Sequence, residues 1–542
     1  MPVVETPDLR GAFPRLTDAQ LAAIAARAER RPTRVGDVLF HEGDSSYDFF
    51  VVVAGMVAVI SDYGTEDESV FAVHGAGRFL GEVSLITGQA ALFTAVVQEA
   101  GEVLVAPAQQ LRTFVTQNAG LGDIILRAFL LRRDLLIDAG VGLRIVGSRY
   151  SPDTRRLRDL VARNRVPHRW LDLETDPAAE ELIRRLGVTP DETPVVISAD
   201  RVLRNPTNSE LAQVAGLSHV GGAPSVDLVV VGAGPAGLAA AVYGASEGLS
   251  TVVVDGVAPG GQAATSARIE NYLGFPAGIS GSELAERAVI QAEKFGAELT
   301  ISAAAAALEA RDGGYVIVLD DGAEVTARSV VIATGARYRK LDVPQLAEFE
   351  DTSVYYAATR MEAQACVGDP VVVVGGGNSA GQAAVFLSRH AVHVSLLIRG
   401  SDLGKGMSRY LVDQVEDDPH VSVLRSTEVR ELIGDHGELQ SIAVENNQTG
   451  ERSLLACRAL FVFIGAEPYT QWLGDAITLD ENGFILTGSD AANGGRPPLL
   501  FETSLPGVFA VGDVRCGSIK RVASAVGEGS MAVRLIHEYL AL

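Results

Sequence analysis

A chain of 542 residues is long enough for several domains, and its 68 acidic against 45 basic side chains (net charge −23) argue against charge-driven binding of nucleic acid or an anionic membrane. The 47% hydrophobic and 6% aromatic content with 57 glycines suits an Ala/Val/Gly-rich α/β architecture. The three cysteines, Cys366, Cys457 and Cys516, show no C-x-x-C spacing, which speaks against a disulfide framework and a cysteine-based zinc site, and no metal is expected.

The opening MPVVETPDLRGAFPRL lacks a basic segment followed by an apolar one. The longest apolar run, residues 49–60, falls short of the roughly 20 residues that span a bilayer, so a cytoplasmic protein without a membrane partner is expected. Residues 16–115 alternate short apolar runs with glycine turns (GDVLFHEGD, FFVVVAGMVAVI, GAGRFLGEVSLITG, FTAVVQEAGEVLVAP), which predicts a small β-roll. A helix over 111–139 closes this first domain, 1–140. Strand LRIVG, helix DTRRLRDLVARNR, strand HRWLDLE, helix AAEELIRRLG and hairpin TPVVIS–RVL make a compact second domain, 141–220, and GGAPS is a linker. Two interleaved Rossmann-like α/β units then follow, one split over 221–347 and 467–542 and the other at 348–466. Strands VDLVVVG (226–232) and PVVVVGG (370–376) each lead into a glycine-rich turn and a helix, and this internal repeat points to two nucleotides.

In the first turn, Gly232-Ala233-Gly234-Pro235-Ala236-Gly237, the first glycine permits a tight turn, the second lets a pyrophosphate approach, and the third allows helix packing. The phosphates then meet the helix N-terminus, where free N–H groups favour negative charge. Strand STVVVDG follows and ends in Asp255, a carboxylate that suits a ribose 2′-hydroxyl. The second turn is Gly375-Gly376-Gly377-Asn378-Ser379-Ala380, and its next strand, VHVSLLIRG, ends in Arg399 with no acid. A 2′-phosphate would repel a carboxylate and pair with a guanidinium, so NADPH is favoured over NADH, with Lys405 and Arg409 as further candidates.

Through these turns, and through PGGQ, IENYLGFP, IATGA and GVFAVGDV in order, residues 225–542 resemble the low-molecular-weight thioredoxin reductases. The resemblance implies an FAD- and NADPH-dependent oxidoreductase, commonly dimeric. It implies flavin contacts from Gly261, Gln262, Asn271, from Ala333, Thr334 and Gly335 of IATGA, and from Gly512 and Asp513. The family's Arg-Gln-Ala segment beside the flavin pyrimidine corresponds to Lys520-Arg521-Val522. Where the family carries C-A-T-C, this chain has Ala357-Ala358-Thr359-Arg360, and neither a methyl nor a guanidinium can attack a disulfide. Hydride would pass from NADPH to flavin N5 and electrons directly to an external acceptor: a ferredoxin or flavodoxin, a quinone or a small oxidant. No side-chain acid or base is required, so no catalytic residue is nominated. Two alternatives are a redox or nucleotide sensor with little turnover, and a thioredoxin-disulfide reductase working through Cys366.

The N-terminal regions resemble two further families, each without its key groups. Phe79-Leu80-Gly81-Glu82-Val83-Ser84-Leu85 matches the start of a cyclic-nucleotide phosphate cassette, but residues 88–94 supply no arginine for the phosphate. Ser151-Pro152-Asp153-Thr154 stands in the place of C-P-x-C in a glutaredoxin or thioredoxin domain, with Thr193-Pro194 at its cis-proline. Serine and threonine keep the helix cap but form no disulfide.

Overall fold

The computed structural model describes residues 4–44, 46–65, 68–198, 201–218, 225–266, 268–311, 313–350, 352–356, 358, 362–363, 366–435, 438–492 and 496–541. After helix α1 (Asp18–Ala25), strands β1 (Glu29–Thr33), β2 (Val38–Phe40), β3 (Phe49–Ser61), β4 (Ser69–His74) and β5 (Thr94–Ala106) form an antiparallel roll in the order β1-β5-β3-β4, with β2 also on β5. The long strands β3 and β5 pair antiparallel, and their register shifts near Gly55 and Gly101, where a Cβ on Gly101 would overlap the carbonyl of Ala54. A short helix, α2 (Ser84–Thr87), precedes β5.

The single helix expected over 111–139 is two helices, α3 (Ala108–Gln117) and α4 (Ala119–Ala139). Asn118 breaks them: its backbone is extended and its side chain caps α4 by accepting the Leu121 N–H (3.1 Å).

The second unit comprises β6 (Leu143–Gly147), α5 (Pro152–Arg163), β7 (His168–Asp172), α6 (Pro177–Arg185), β8 (Val195–Ser198), β9 (Arg201–Arg204) and α7 (Asn208–Val214). Its sheet runs β7-β6-β8-β9, parallel only between β6 and β7. The Thr193–Pro194 bond is cis, as the resemblance leads one to expect.

The third unit contains β10 (Val226–Val231), α8 (Pro235–Ser246), β11 (Thr251–Asp255), α9 (Gly261–Ala264), α10 (Gly281–Lys294), β12 (Glu298–Ile301), β13 (Ala305–Arg311), β14 (Gly314–Leu319) and β15 (Glu324–Ile332). The order is β12-β11-β10-β15-β14-β13, and the strand that returns late in the chain completes it beside β15. Strands β10, β11, β12 and β15 are mutually parallel, and the central Val/Ile runs are buried on both faces, as a sheet covered by helices requires. Strand β16 (Ala336–Tyr338) and helix α11 (Leu346–Phe349) lead into the fourth unit.

There, β17 (Val354–Tyr355), β18 (Pro370–Val374), α12 (Asn378–Leu387), β19 (His393–Leu397), α13 (Arg409–Asp417) and β20 (Val421–Leu424) are followed by a ladder of β21 (Thr427–Asp435), β22 (Glu438–Asn446) and β23 (Arg452–Ala456), then by β24 (Ala459–Val462). The parallel order is β17-β24-β18-β19-β20. The chain returns through β25 (Ala466–Pro468), antiparallel to β16, then β26 (Val508–Ala510) and α14 (Val522–Leu540) complete the third unit. Strands β16 and β25 thus form the two-strand passage between the Rossmann-like units.

Candidate functional site

The first fingerprint has the geometry its glycines predict. Gly232 has φ +104°, and a Cβ there would overlap the Ala333 carbonyl; one on Gly237 would overlap the carbonyl of Gly232. Gly234 is the opposite case, since a Cβ on it would meet nothing within 4 Å. Two glycines are therefore needed for packing, and the third leaves space beside the N-terminus of α8, where Pro235 and Ala236 begin the helix. Asp255 is half-buried and fastens this turn: it accepts N–H bonds from Ala233 (2.8 Å), Val257 (2.9 Å) and Ala258 (3.1 Å). Burial pushes its carboxyl up while those three amides pull it down. A ribose hydroxyl would find Asp255 already holding the turn, a duty that the sequence reading did not foresee.

Most of the other expected flavin residues converge on the same turn. Gly260 donates to the Ala233 carbonyl (2.6 Å), and a Cβ on Gly261 would lie 3.2 Å from the Gly234 Cα. Gln262 donates to the Ala336 carbonyl, which fixes it beside Ala333-Thr334-Gly335, and Thr334 donates to the Tyr469 carbonyl (2.9 Å). Gly512 comes from across the sheet, its would-be Cβ 3.0 Å from Ala236. Asp513 beside it is half-buried and accepts no hydrogen bond among the described residues; burial pushes its carboxyl up and Lys520 pulls it down. Glu528, which sequence reading missed, holds Gly512 in place by accepting its N–H (2.7 Å) and pairing with Arg515 (2.6 Å). Arg521 is exposed and is the N-cap residue of α14, whose first residue is Val522. Asn271 lies exposed in the loop closed by the Ile269–Ile279 bridge, and among the described residues no hydrogen bond joins its side chain to the other candidates.

The second fingerprint repeats the scheme. A Cβ on Gly375 would overlap the Phe463 carbonyl, whereas one on Gly377 has only the Gly406 carbonyl at 3.8 Å. Asn378 spends its side-chain oxygen on the Ser408 N–H (2.7 Å), so the segment bearing Lys405 and Arg409 is tied to the turn, and Ser379 is exposed at the start of α12. Arg399 lies two residues past the end of β19 rather than within it; it is exposed and forms no ion pair among the described residues.

Two open glycine turns, each following a parallel strand of a separate sheet, are the geometry of a two-dinucleotide oxidoreductase. A family model described as pyridine nucleotide-disulphide oxidoreductase matches residues 226–529. The chain belongs to this family. A cyclic nucleotide-binding domain model matches residues 30–118. The thioredoxin reductase of Treponema pallidum is 35% identical over 319 residues, covering 58% of this chain and 97% of that protein; that of Bacillus subtilis is 32% identical over 314 residues, covering 58% and 94%. The solved T. acidophilum thioredoxin reductase is 30% identical with a TM-score of 0.54, covering 59% of this chain and 100% of that one. This pyridine nucleotide-disulphide oxidoreductase is thus a thioredoxin-reductase-like flavoprotein of a group that uses FAD and NADPH.

The segment in the place of the redox cysteines lies beside the stretch that follows α9: Ala358 is buried and forms a parallel bridge with Ser266. Ala357 and Arg360 lie outside the described residues. Tyr355, which precedes the segment, is pushed up to about 12 by burial, with Glu362 and Cys366 adding to it and Arg155 pulling it down. Cys366 is buried, donates to the Glu362 carbonyl (3.2 Å) and is pushed up to about 11 by burial, with Asp369 adding to it. Cys457 is buried and pushed up to about 12, and Cys516 is raised by its bond to Asp480. None of the three is a ready thiolate.

The roll retains a cavity of about 20 Å³ lined by Phe40, Phe71, His74, Glu82, Phe93 and Arg132, room for little more than a water. In the second unit the Ser151 hydroxyl caps α5 at the Thr154 N–H (3.2 Å), and a Cβ on Gly147 would overlap the Thr154 hydroxyl and lie 2.9 Å from Pro194. The former redox position is thus a packed one. Among the described residues there is no cluster fit to hold a metal and no helix long and apolar enough to cross a membrane.

Proposed function

We propose that the protein oxidises NADPH at an FAD held by the third unit and passes the electrons to an external acceptor without an internal disulfide. The observation that carries this reading is the Ala358–Ser266 bridge, which sets a thiol-free segment against the stretch that follows α9 while both glycine turns stay open.

The residues fit the two cofactors. Gly234 and the N-terminus of α8 would take the FAD pyrophosphate, with Asp255 fixing the turn. Asp513, with acceptor capacity to spare, suits the hydroxyls of the ribityl chain, and Ala333-Thr334-Gly335 with Gln262 would border the ring system. Gly377, Ser379 and the N-terminus of α12 would take the NADPH pyrophosphate, and exposed Arg399 its 2′-phosphate. FAD, when bound, supplies a hydride acceptor at N5 that can deliver electrons one or two at a time. The Arg521 guanidinium and the N-terminus of α14 would favour negative charge at the pyrimidine edge.

A ferredoxin or flavodoxin, a quinone or a small oxidant is the expected acceptor class. The test is anaerobic stopped-flow mixing of purified flavoprotein with NADPH, followed by these acceptors and by oxidised thioredoxin. Rapid bleaching with reoxidation by a one-electron protein or a quinone, and none by thioredoxin disulfide, is expected. A flavin that stays oxidised in NADPH would favour the sensor reading, and reoxidation by thioredoxin disulfide would overturn the disulfide-free route.

A further inference from the structure

The second unit is fastened to the third at two places, and both adjoin Asp255. Strand β12 is the edge of its sheet, and Ile301 at its end pairs with Asp255 of β11. The Ile301 N–H donates to the Leu217 carbonyl of the second unit (2.8 Å), and the Ile301 side chain is buried in that unit's core with Leu143, Leu157 and Leu211. The other fastening is a side chain. Asn164, at the end of α5, donates from Nδ2 to the Val257 carbonyl (3.1 Å), in the loop that leaves β11.

That bond completes the hold on one peptide unit. The peptide joining Val257 to Ala258 gives its N–H to the Asp255 carboxylate (3.1 Å) and receives Asn164 at its carbonyl. The N–H and C=O of a trans peptide point in opposite directions, so the two bonds together fix its rotation. Asn164 is itself well anchored. Its neighbour Arg165 has a left-handed backbone (φ +51°) and pairs with Glu286 on α10 (3.0 Å) and with Asp134 on α4, which wedges the end of α5 between the roll and the third unit.

The amide does more for the loop than for its own helix. Nδ2 also donates to the Leu160 carbonyl (2.8 Å), but that carbonyl already accepts the Asn164 backbone N–H (3.2 Å). Meanwhile Oδ1 is buried and accepts no hydrogen bond among the described residues, which is a cost to stability. The bond to Val257 is the one that nothing else in α5 duplicates.

We propose that Asn164, from a unit without redox cysteines, is a positioning residue for the adenosine half of the flavin cofactor. By fixing the Val257–Ala258 peptide it holds Asp255 and its loop in place before the ribose arrives, which removes part of the ordering cost from binding. The inference rests on the reading of the first glycine turn as the FAD site.

The experiment uses the full-length protein carrying Asn164→Ser or Asn164→Gln. A serine hydroxyl can still bond the carbonyl one helical turn back but is too short to span to Val257, whereas glutamine keeps an amide donor that can. Two quantities are read on apoprotein: amide hydrogen exchange over residues 256–258 and through α5, and the Kd of FAD by flavin fluorescence. Asn164→Ser is expected to speed exchange over 256–258 and raise the Kd about fivefold, with α5 unchanged. Asn164→Gln is expected to bring both to within about twofold of wild type. A glutamine variant as weak as the serine variant would overturn the positioning role. If α5 itself loses protection in Asn164→Ser, Asn164→Leu removes the donor while filling the space and is judged by the same results. A wild-type apoprotein that takes up no FAD overturns the reading of the turn. A wild type that binds FAD no more tightly than Asn164→Ser overturns the positioning role alone.

Discussion

Gly234→Ala separates a cofactor role from a packing role within a single fingerprint. Gly234 has φ −70° and ψ 179°, which alanine adopts freely, and its Cβ would stand in open space. The substitution should leave stability within about 0.5 kcal/mol, as for a substitution away from buried or strained features. In the bound state that methyl occupies the approach of the pyrophosphate to the N–H groups of the helix. Losing one charge-assisted hydrogen bond there costs about 1.5–3 kcal/mol, or roughly a ten- to hundredfold rise in the FAD Kd. Gly237→Ala is the counter-case, because its Cβ would overlap the Gly232 carbonyl. Overpacking should cost about 1–3 kcal/mol of stability whether or not flavin is present. Apoprotein is titrated with FAD by fluorescence quenching, and both variants are melted without cofactor. A Gly234→Ala protein that binds FAD like wild type would refute the assignment of the turn, as would one that has lost stability like Gly237→Ala.

At the second turn, Arg399→Ala should raise KM for NADPH about tenfold, with little change for NADH, because only the 2′-phosphate loses its partner; steady-state kinetics with both nucleotides checks this. Cys366→Ser should leave the rate of flavin bleaching by NADPH unchanged, since the thiol is buried and pushed up to about 11; loss of bleaching would restore a role for that cysteine. The carboxyl of Glu82 is raised from 4.5 to about 7 in the folded state, so its contribution is fully present below about pH 4.5 and is lost as pH rises through about 7. Melting curves between pH 5 and pH 8 should therefore fall less steeply with pH in Glu82→Gln than in wild type, and equal slopes would contradict the burial of an ionisable group there.

The dinucleotide turns were legible in the sequence because each glycine meets a separate steric demand: crowding at Gly232, Gly237 and Gly375, and open approach at Gly234 and Gly377. The loss of the redox pair was equally legible, since residue type alone decides whether a thiolate can form. Asn118 was hidden inside a continuous apolar period, where one capping side chain outweighed the pattern. That Asp255 also holds the turn was not legible, because the sequence cannot show which amides a carboxylate accepts. Glu286 and Glu293 on α10 carried no motif, and the arginines that answer Glu286 come from residues more than a hundred positions earlier in the chain. Glu528 carried no motif; its partner Gly512 is 16 residues away, joined to it by the turn before α14.

The central claim is a flavin with no disulfide behind it, and an anaerobic reductive titration tests it most directly. Purified full-length protein is titrated with NADPH, or with dithionite for an absolute electron count, while flavin absorbance is followed. Complete bleaching after one two-electron equivalent per flavin is the predicted result. A second equivalent consumed before or during bleaching would reveal another redox centre and contradict the account.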